Sequence, residues 1–408
     1  MAVMNTTHHL RRRIGALRQR VTGADLAALR TQLAELSGEV STLAAQLQQT
    51  GHQPVQHAQV TLLSDLRLPG GTTASIAEEV RAQAEAGITT ALIHAQSEIT
   101  STATGFSRHI QPLLALPGVH VVSPRAQLRT QLLVIRHPQV IATAAAQFRG
   151  ITAEQVVIVA NHPAADSHAA EQYNVAAADA AVRQRFGTAP VWAPISPVVR
   201  ASLTEQSHTV QLAEQDWVNI FGTELTTRPR TGFAAGTPVI GRHSRPQKEK
   251  WPEAPEPILA AYPDSPDYRV EILGGAEIPQ QMLGYTPQNW QVLPFGAEEP
   301  ARFLQGIDFW VYMHHPGWRE AFGRAIIEAL AAGCLVVLPP YLETIFGDAA
   351  RYAEPHQVRP LVDRYWEDKE AFLEQSRRGQ QFAAAHGPQR HLARLAQRGI
   401  GATGESQP

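Results

Sequence analysis

The sequence predicts an α/β protein of two doubly wound, Rossmann-like domains that face one cleft, preceded by a helical coiled-coil segment. Three observations predict it. Apolar strand-like runs alternate with helical stretches in two series, from Val60 to Val191 and from Pro238 to Leu338, and alternating β and α units build parallel sheets. With 408 residues, 44% of them hydrophobic, the chain can fill two cores of roughly 150 to 180 residues each. The first fifty residues obey a different period. The expected division is a helical segment at 1–50, a first domain at 51–235, a second domain with closing helices at 236–400, and a disordered tail at 401–408.

In the amino-terminal segment Leu26, Leu29, Leu33, Leu36, Val40, Leu43 and Leu47 alternate steps of three and four, the a/d pattern of a coiled-coil seam. A shorter run, Leu10, Ile14, Leu17 and Val21, precedes it, and Thr22-Gly23-Ala24-Asp25 breaks the phase with Thr22 as a helix cap. The expectation is a homo-oligomer held through residues 10–48. Arg11, Arg12, Arg13, Arg18 and Arg20 give the first helix a cationic face that anionic lipid would attract.

Composition narrows the function classes. A net charge of −2 argues against a dedicated nucleic-acid binder, which would carry a basic face. A single cysteine excludes an internal disulfide and suits a reducing cytoplasm. No apolar run approaches the ~18 residues of a membrane span, and the Arg-rich start is not a signal peptide. The expected location is therefore cytoplasmic, with peripheral membrane contact through the arginines.

Thr50 to Pro54 reads as a linker. Val60-Thr61-Leu62-Leu63 is the first strand, Asp65 to Thr73 a loop containing Gly70 and Gly71, and Ala74 to Ala86 a helix. Strands follow at Thr90 to His94, Gln131 to Ile135, Gln155 to Ala160 and Val191. The second series has strands at Pro238 to Gly241, Tyr268 to Leu273, Trp290 to Pro294, Ile307 to Tyr312 and Cys334 to Leu338.

The densest chemistry lies between the last two strands. Glu320 and Glu328 bracket Ala321-Phe322-Gly323 at the expected start of an apolar helix, which Gly333 stops. On one helix an eight-residue step turns roughly 80° past two turns and rises ~12 Å, so both carboxylates can face one cleft. Unpaired amides at the helix start, backed by its dipole, would take a diphosphate, with Gly323 allowing close approach. Beyond the first strand of this domain comes Gly241-Arg242-His243-Ser244-Arg245-Pro246-Gln247-Lys248-Glu249-Lys250-Trp251-Pro252. It holds two of the chain's three lysines, cations suited to a departing diphosphate. In the first domain Gly70 and Gly71 can bring backbone amides to the opposite wall. His137 and His162 each end a strand, where an imidazole can orient a hydroxyl or share its proton. His314-His315 in the loop before Glu320 is a similar case.

The run from Trp318 to Gly333 resembles the carboxy-terminal domain of the group-1 glycosyltransferases of the GT-B fold, whose Glu-x7-Glu motif with a central Phe-Gly binds the donor. The resemblance covers roughly Val239 to Tyr352. It implies that Glu320 contacts the transferred sugar, Glu328 the ribose, and Ala321, Phe322 and Gly323 the donor through their backbone. It also implies diphosphate contacts from Arg242 and a lysine, for which Lys248 and Lys250 compete and Lys250 is favoured. His162 falls where the family has a histidine beside the sugar. Ala321 replaces a usual glycine, and Cys334-Leu335 and Pro339-Pro340-Tyr341 also depart from the pattern, which bears on sugar specificity.

No Asp-x-Asp pair, His-Glu-x-x-His, Cys-x-x-Cys or Walker loop occurs, so a metal-free transferase without a cofactor is expected. Its substrate would be a nucleoside diphosphate sugar, and the resemblance implies retention of anomeric configuration. The acceptor is not legible. A nucleotide-sugar epimerase or phosphorylase on the same fold, or a non-catalytic scaffold joined through the coiled coil, are the competing readings.

Overall fold

The computed structural model describes residues 31, 33, 35–46, 57–97, 99, 105–144, 148, 150–166, 170–222 and 229–401. The expectations for residues 10 to 21, the arginine cluster, the 50–54 linker and nearly all of the tail lie outside these residues.

Two all-parallel sheets form the frame. The first contains β1 (His57–Ser64), β2 (Thr90–His94), β3 (Val119–Val122), β4 (Leu128–Arg136), β5 (Ile151–Ala160), β6 (Val191–Pro194) and β7 (Gln211–Leu212). Its order is β3-β2-β1-β4-β5-β6-β7. The second contains β8 (Val239–His243), β9 (Arg269–Leu273), β10 (Trp290–Leu293), β11 (Phe309–Val311), β12 (Leu335–Leu338) and β13 (Arg351–Tyr352), in the order β10-β9-β8-β11-β12-β13. The strand order of each sheet reverses once, between β1 and β4 and between β8 and β11. Crevices at such switch points, beyond the carboxyl ends of strands, are where open α/β sheets bind ligands.

Burial explains why the sequence was readable as strands. β2, β8 and β12 are buried along their whole length and β1 from Val60 onward; β11 and β12 are unbroken apolar runs, as strands covered on both faces tend to be. β4 and β5 alternate at their amino halves and turn wholly buried toward their carboxyl halves. They pair side by side from Leu128 opposite Ile151 to Arg136 opposite Val159. β3, β7 and β13 were not anticipated: two of them are two residues long and carry no readable period.

Three helices differ from expectation. The first long helix spans Gly71–Glu85, three residues earlier than predicted, and Gly70 caps it without a side-chain bond. The helix expected to carry both glutamates spans only Arg324–Ala331. Glu320 therefore lies in the loop before it, and the on-helix spacing argument does not apply to this pair. The last helix, Pro388–Ala396, was assigned to the second domain but packs against the first. Its His391 meets Gln83 at 2.9 Å, and Arg394 donates to the Val218 carbonyl at 2.8 Å. Both approach the buried carboxylate of Glu79, which also accepts from Trp217 and from Arg136. This carboxylate on the first helix thus gathers partners from β4, the interdomain link and the final helix.

Residues 31, 33 and 35–46 are helical. No helix among the described residues is long and apolar enough to cross a membrane.

Candidate active site

The loop after β11 reaches Glu320 because Tyr341, beyond β12, accepts the Glu320 N–H at 2.9 Å. The same hydroxyl bonds His314 Nε2 at 2.9 Å. The Glu320 carboxylate receives Lys250 Nζ at 2.6 Å and the Tyr312 hydroxyl at 2.9 Å. Lys250 also donates to that hydroxyl at 2.9 Å and sits 4.6 Å over the Trp318 ring. Burial alone would raise the Glu320 carboxyl, but the Lys250 charge and hydrogen bond, with Tyr312, hold it below the ordinary range. The geometry separates the two lysines. Lys250 lies in the cluster, whereas Lys248 is exposed outside it.

Arg242, expected at the diphosphate, is enclosed instead. Its guanidinium is fully buried, packed 3.8 Å over Trp251. It donates to Tyr262, the Met313 carbonyl, Ser244 and the Lys250 carbonyl. Enclosed this way, it presents no exposed charge to the cleft. It braces the strand end and fixes the Lys250 backbone, so it is a positioning residue.

Glu328 is held from both sides. Arg324 donates to Oε1 at 2.8 Å and His243 Nε2 bonds Oε2 at 3.0 Å. The Trp310 indole donates to His243 Nδ1 at 3.0 Å, which leaves Nε2 as the protonated nitrogen aimed at Glu328. Burial raises the Glu328 carboxyl, but the His243 hydrogen bond and then Arg324 outweigh it and hold it low. His243 and Arg324 were not singled out from sequence, although His243 directly follows Arg242 at the strand end.

Between the two glutamates the chain turns sharply. Gly323 has φ +80°, and a Cβ there would lie 2.5 Å from Ile326 and 3.3 Å from Glu320, so only glycine fits. The first intrahelical bonds run from Ile326 and Ile327 to the Gly323 carbonyl. The Arg324 and Ala325 amides thus precede the ladder, and these, rather than Ala321 to Gly323, are the helix-start donors. Phe322 points inward: it is buried and stacks near Phe221 and Phe346.

The opposite wall comes from the first domain. Asn161 reaches Thr72 at 3.3 Å, bringing the β5 end to the helix start at Gly70 and Gly71. A Cβ added at either glycine would meet nothing within 4 Å, so this helix start is open. Farther along the helix Glu78 approaches Arg324 at 3.7 Å, which joins this wall to the Arg324–Ala331 helix. His137 and His162 are not alternatives. Their rings lie 4.6 Å apart, and His162 meets Tyr173 edge-on at 5.0 Å. Burial pushes His162 down to about 4, and burial with the neighbouring His162 pushes His137 down to about 3. His137 is also the one non-glycine with positive φ, +81°, among the described residues, a backbone strain that the surrounding fold must maintain.

No family model matches the chain, and no curated protein matches it. Solved structures do match by fold. Anabaena HepE in complex with UDP and glucose aligns with a TM-score of 0.59 at 14% identity, over 84% of this chain and 99% of that one. A glycosyltransferase from Rickettsia africae gives 0.54 at 12%, over 85% and 99%. An E. coli structure, trehalose-6-phosphate bound with UDP-2-fluoro glucose, gives 0.54 at 10%, over 83% and 98%. The chain therefore has the two-domain GT-B architecture, with Glu320, Lys250 and Glu328 at the β8/β11 switch point of its second sheet.

Proposed function

We propose that this chain is a glycosyltransferase that moves a sugar from a nucleoside diphosphate sugar to an acceptor hydroxyl. The observation that carries the reading is the pairing of Lys250 with Glu320 beside a His243-held Glu328, all on the donor side of a GT-B fold. Neighbours of that fold hold UDP with glucose and UDP-2-fluoro glucose, which makes a uridine donor the first to try.

In this reading Glu328 takes the ribose hydroxyls and Glu320 a sugar hydroxyl. As the sugar–phosphate bond breaks, its electron pair leaves with the diphosphate. Lys250 and the amides of Arg324 and Ala325 receive that charge, and such preorganised donors act most strongly where charge develops. His162, neutral at physiological pH, is the donor or acceptor that orients a hydroxyl from the opposite wall. Retention of configuration follows the resemblance of the Glu320–Glu328 run. The acceptor fills the first-domain side of the cleft.

Release of nucleoside diphosphate from a panel of nucleotide sugars tests this, with water as the default acceptor. At least one sugar should be turned over, and Lys250→Ala should remove that turnover. Turnover unchanged by Lys250→Ala would defeat the assignment.

A further inference from the structure

The helical residues 31, 33 and 35–46 present two working faces. Gly38, Thr42 and Ala45 are buried against the first domain. A Cβ on Gly38 would lie 2.7 Å from His94 Nε2, and Gln46 donates to the Val121 carbonyl at 3.3 Å. The opposite face is open: Leu33, Leu36, Val40 and Leu43 are 57 to 62% exposed. Four large apolar side chains in a row on one helix are unlike the scattered apolar residues of an ordinary surface.

Heptad register accounts for both faces. Taking Leu33 and Val40 as a and Leu36 and Leu43 as d puts Gly38 and Ala45 at f, the position farthest from a coiled-coil seam. Small f residues let the helix lie close on the domain, and that contact turns the a/d seam outward. In the sequence the register continues without a miss from Leu26 to Leu47, about three heptads, near the lower limit for a coiled coil.

We propose that the occupant of this seam is the same segment of a second copy, in a parallel two-stranded coiled coil. Charge favours that arrangement. Asp25 at g and Arg30 at e are five residues apart, so each copy's Asp25 faces the other's Arg30 when the helices run parallel. The other g and e pairs, Gln32 with Ser37 and Glu39 with Ala44, oppose no like charges. Val at one a position with Leu at d suits two strands. Because the helix backs on His94, the dimer axis is tied to the first-domain wall beside the Gly70 loop.

Cysteine cross-linking of the full chain tests the pairing, since the native Cys334 thiol is buried and pushed up to about 12 by that burial. In a parallel pair each a residue faces its own copy at ~6 Å, within disulfide reach. Leu33→Cys and Val40→Cys should each give covalent dimers on mild oxidation, and Glu35→Cys, off the seam, should not. Leu36→Glu/Leu43→Glu should halve the mass seen by light scattering while the melting temperature of the body is kept. A monomeric wild type, an undiminished mass in the double variant, or cross-linking at only one of the two a positions, as an antiparallel pair would give, each overturns the proposal.

Discussion

His243 and Glu328 sit 3.0 Å apart, and the Trp310 indole behind the imidazole settles which nitrogen faces the carboxylate. The carboxylate is thereby aimed before any ligand arrives. Glu328→Ala should weaken nucleoside diphosphate binding by about 1.5 to 3 kcal/mol, the scale of a charged hydrogen bond. His243→Ala should cost less, and the double variant should lose no more than Glu328→Ala alone. Calorimetry on the four proteins checks this. Additive losses would mean that His243 contacts the nucleotide itself.

Lys250 and Glu320 are mutually dependent, both about 14% exposed. Lys250→Met strands a buried carboxylate and should destabilise the fold by about 3 kcal/mol, whereas Lys250→Met/Glu320→Gln should recover most of that loss. Turnover should stay lost in both. Denaturant melts alongside activity separate the two effects, and a double variant as unstable as the single one would show that the pair does not compensate as described.

The contact between His137 and His162 changes how their mutants read. His162→Ala should lower turnover by roughly two orders of magnitude with nucleotide affinity unchanged. His137→Ala should also lower turnover, because His162 loses the ring it packs on, and the two changes should be non-additive. Steady-state rates for the two singles and the double decide it; independent, additive effects would contradict the ring-to-ring contact.

Stability should fall on mild acidification. Burial lowers His94, His162, His314, His386 and His391 to about 4 and His137 to about 3. Between these values and the ordinary 6.5, the unfolded chain binds more protons than the folded one, so stability rises with pH across that window. The lowered carboxyls of Glu320 and Glu328 act in the same direction below their ordinary 4.5. Melting temperatures from pH 7 down to pH 4 should drop steadily, and a flat profile would contradict the neutral burial of these imidazoles.

The fold was largely legible because strands covered on both faces write continuous apolar runs, as in β11 and β12. What stayed hidden depends on three-dimensional enclosure. Arg242 looks like a cleft cation in sequence, yet Trp251 and Tyr262 bury it. Glu320 looks helical by spacing, yet the positive φ at Gly323 delays the helix. Of Lys248 and Lys250, only the course of the short turn at Lys248–Lys250 decides which one points at Glu320. His243 acquires its role only when Trp310 and Glu328, distant in sequence, close on it from two sides.

In the proposed reaction the second domain holds a nucleoside diphosphate sugar through Glu328. Thermal shift with a panel of nucleotide sugars tests it most directly, since a ligand at a hundred times its Kd stabilises the fold by about 2.7 kcal/mol. At least one nucleotide sugar should raise the melting temperature of the wild type and raise that of Glu328→Ala far less at the same concentration. No shift with any donor, or equal shifts in the two proteins, would remove Glu328 from the nucleotide site.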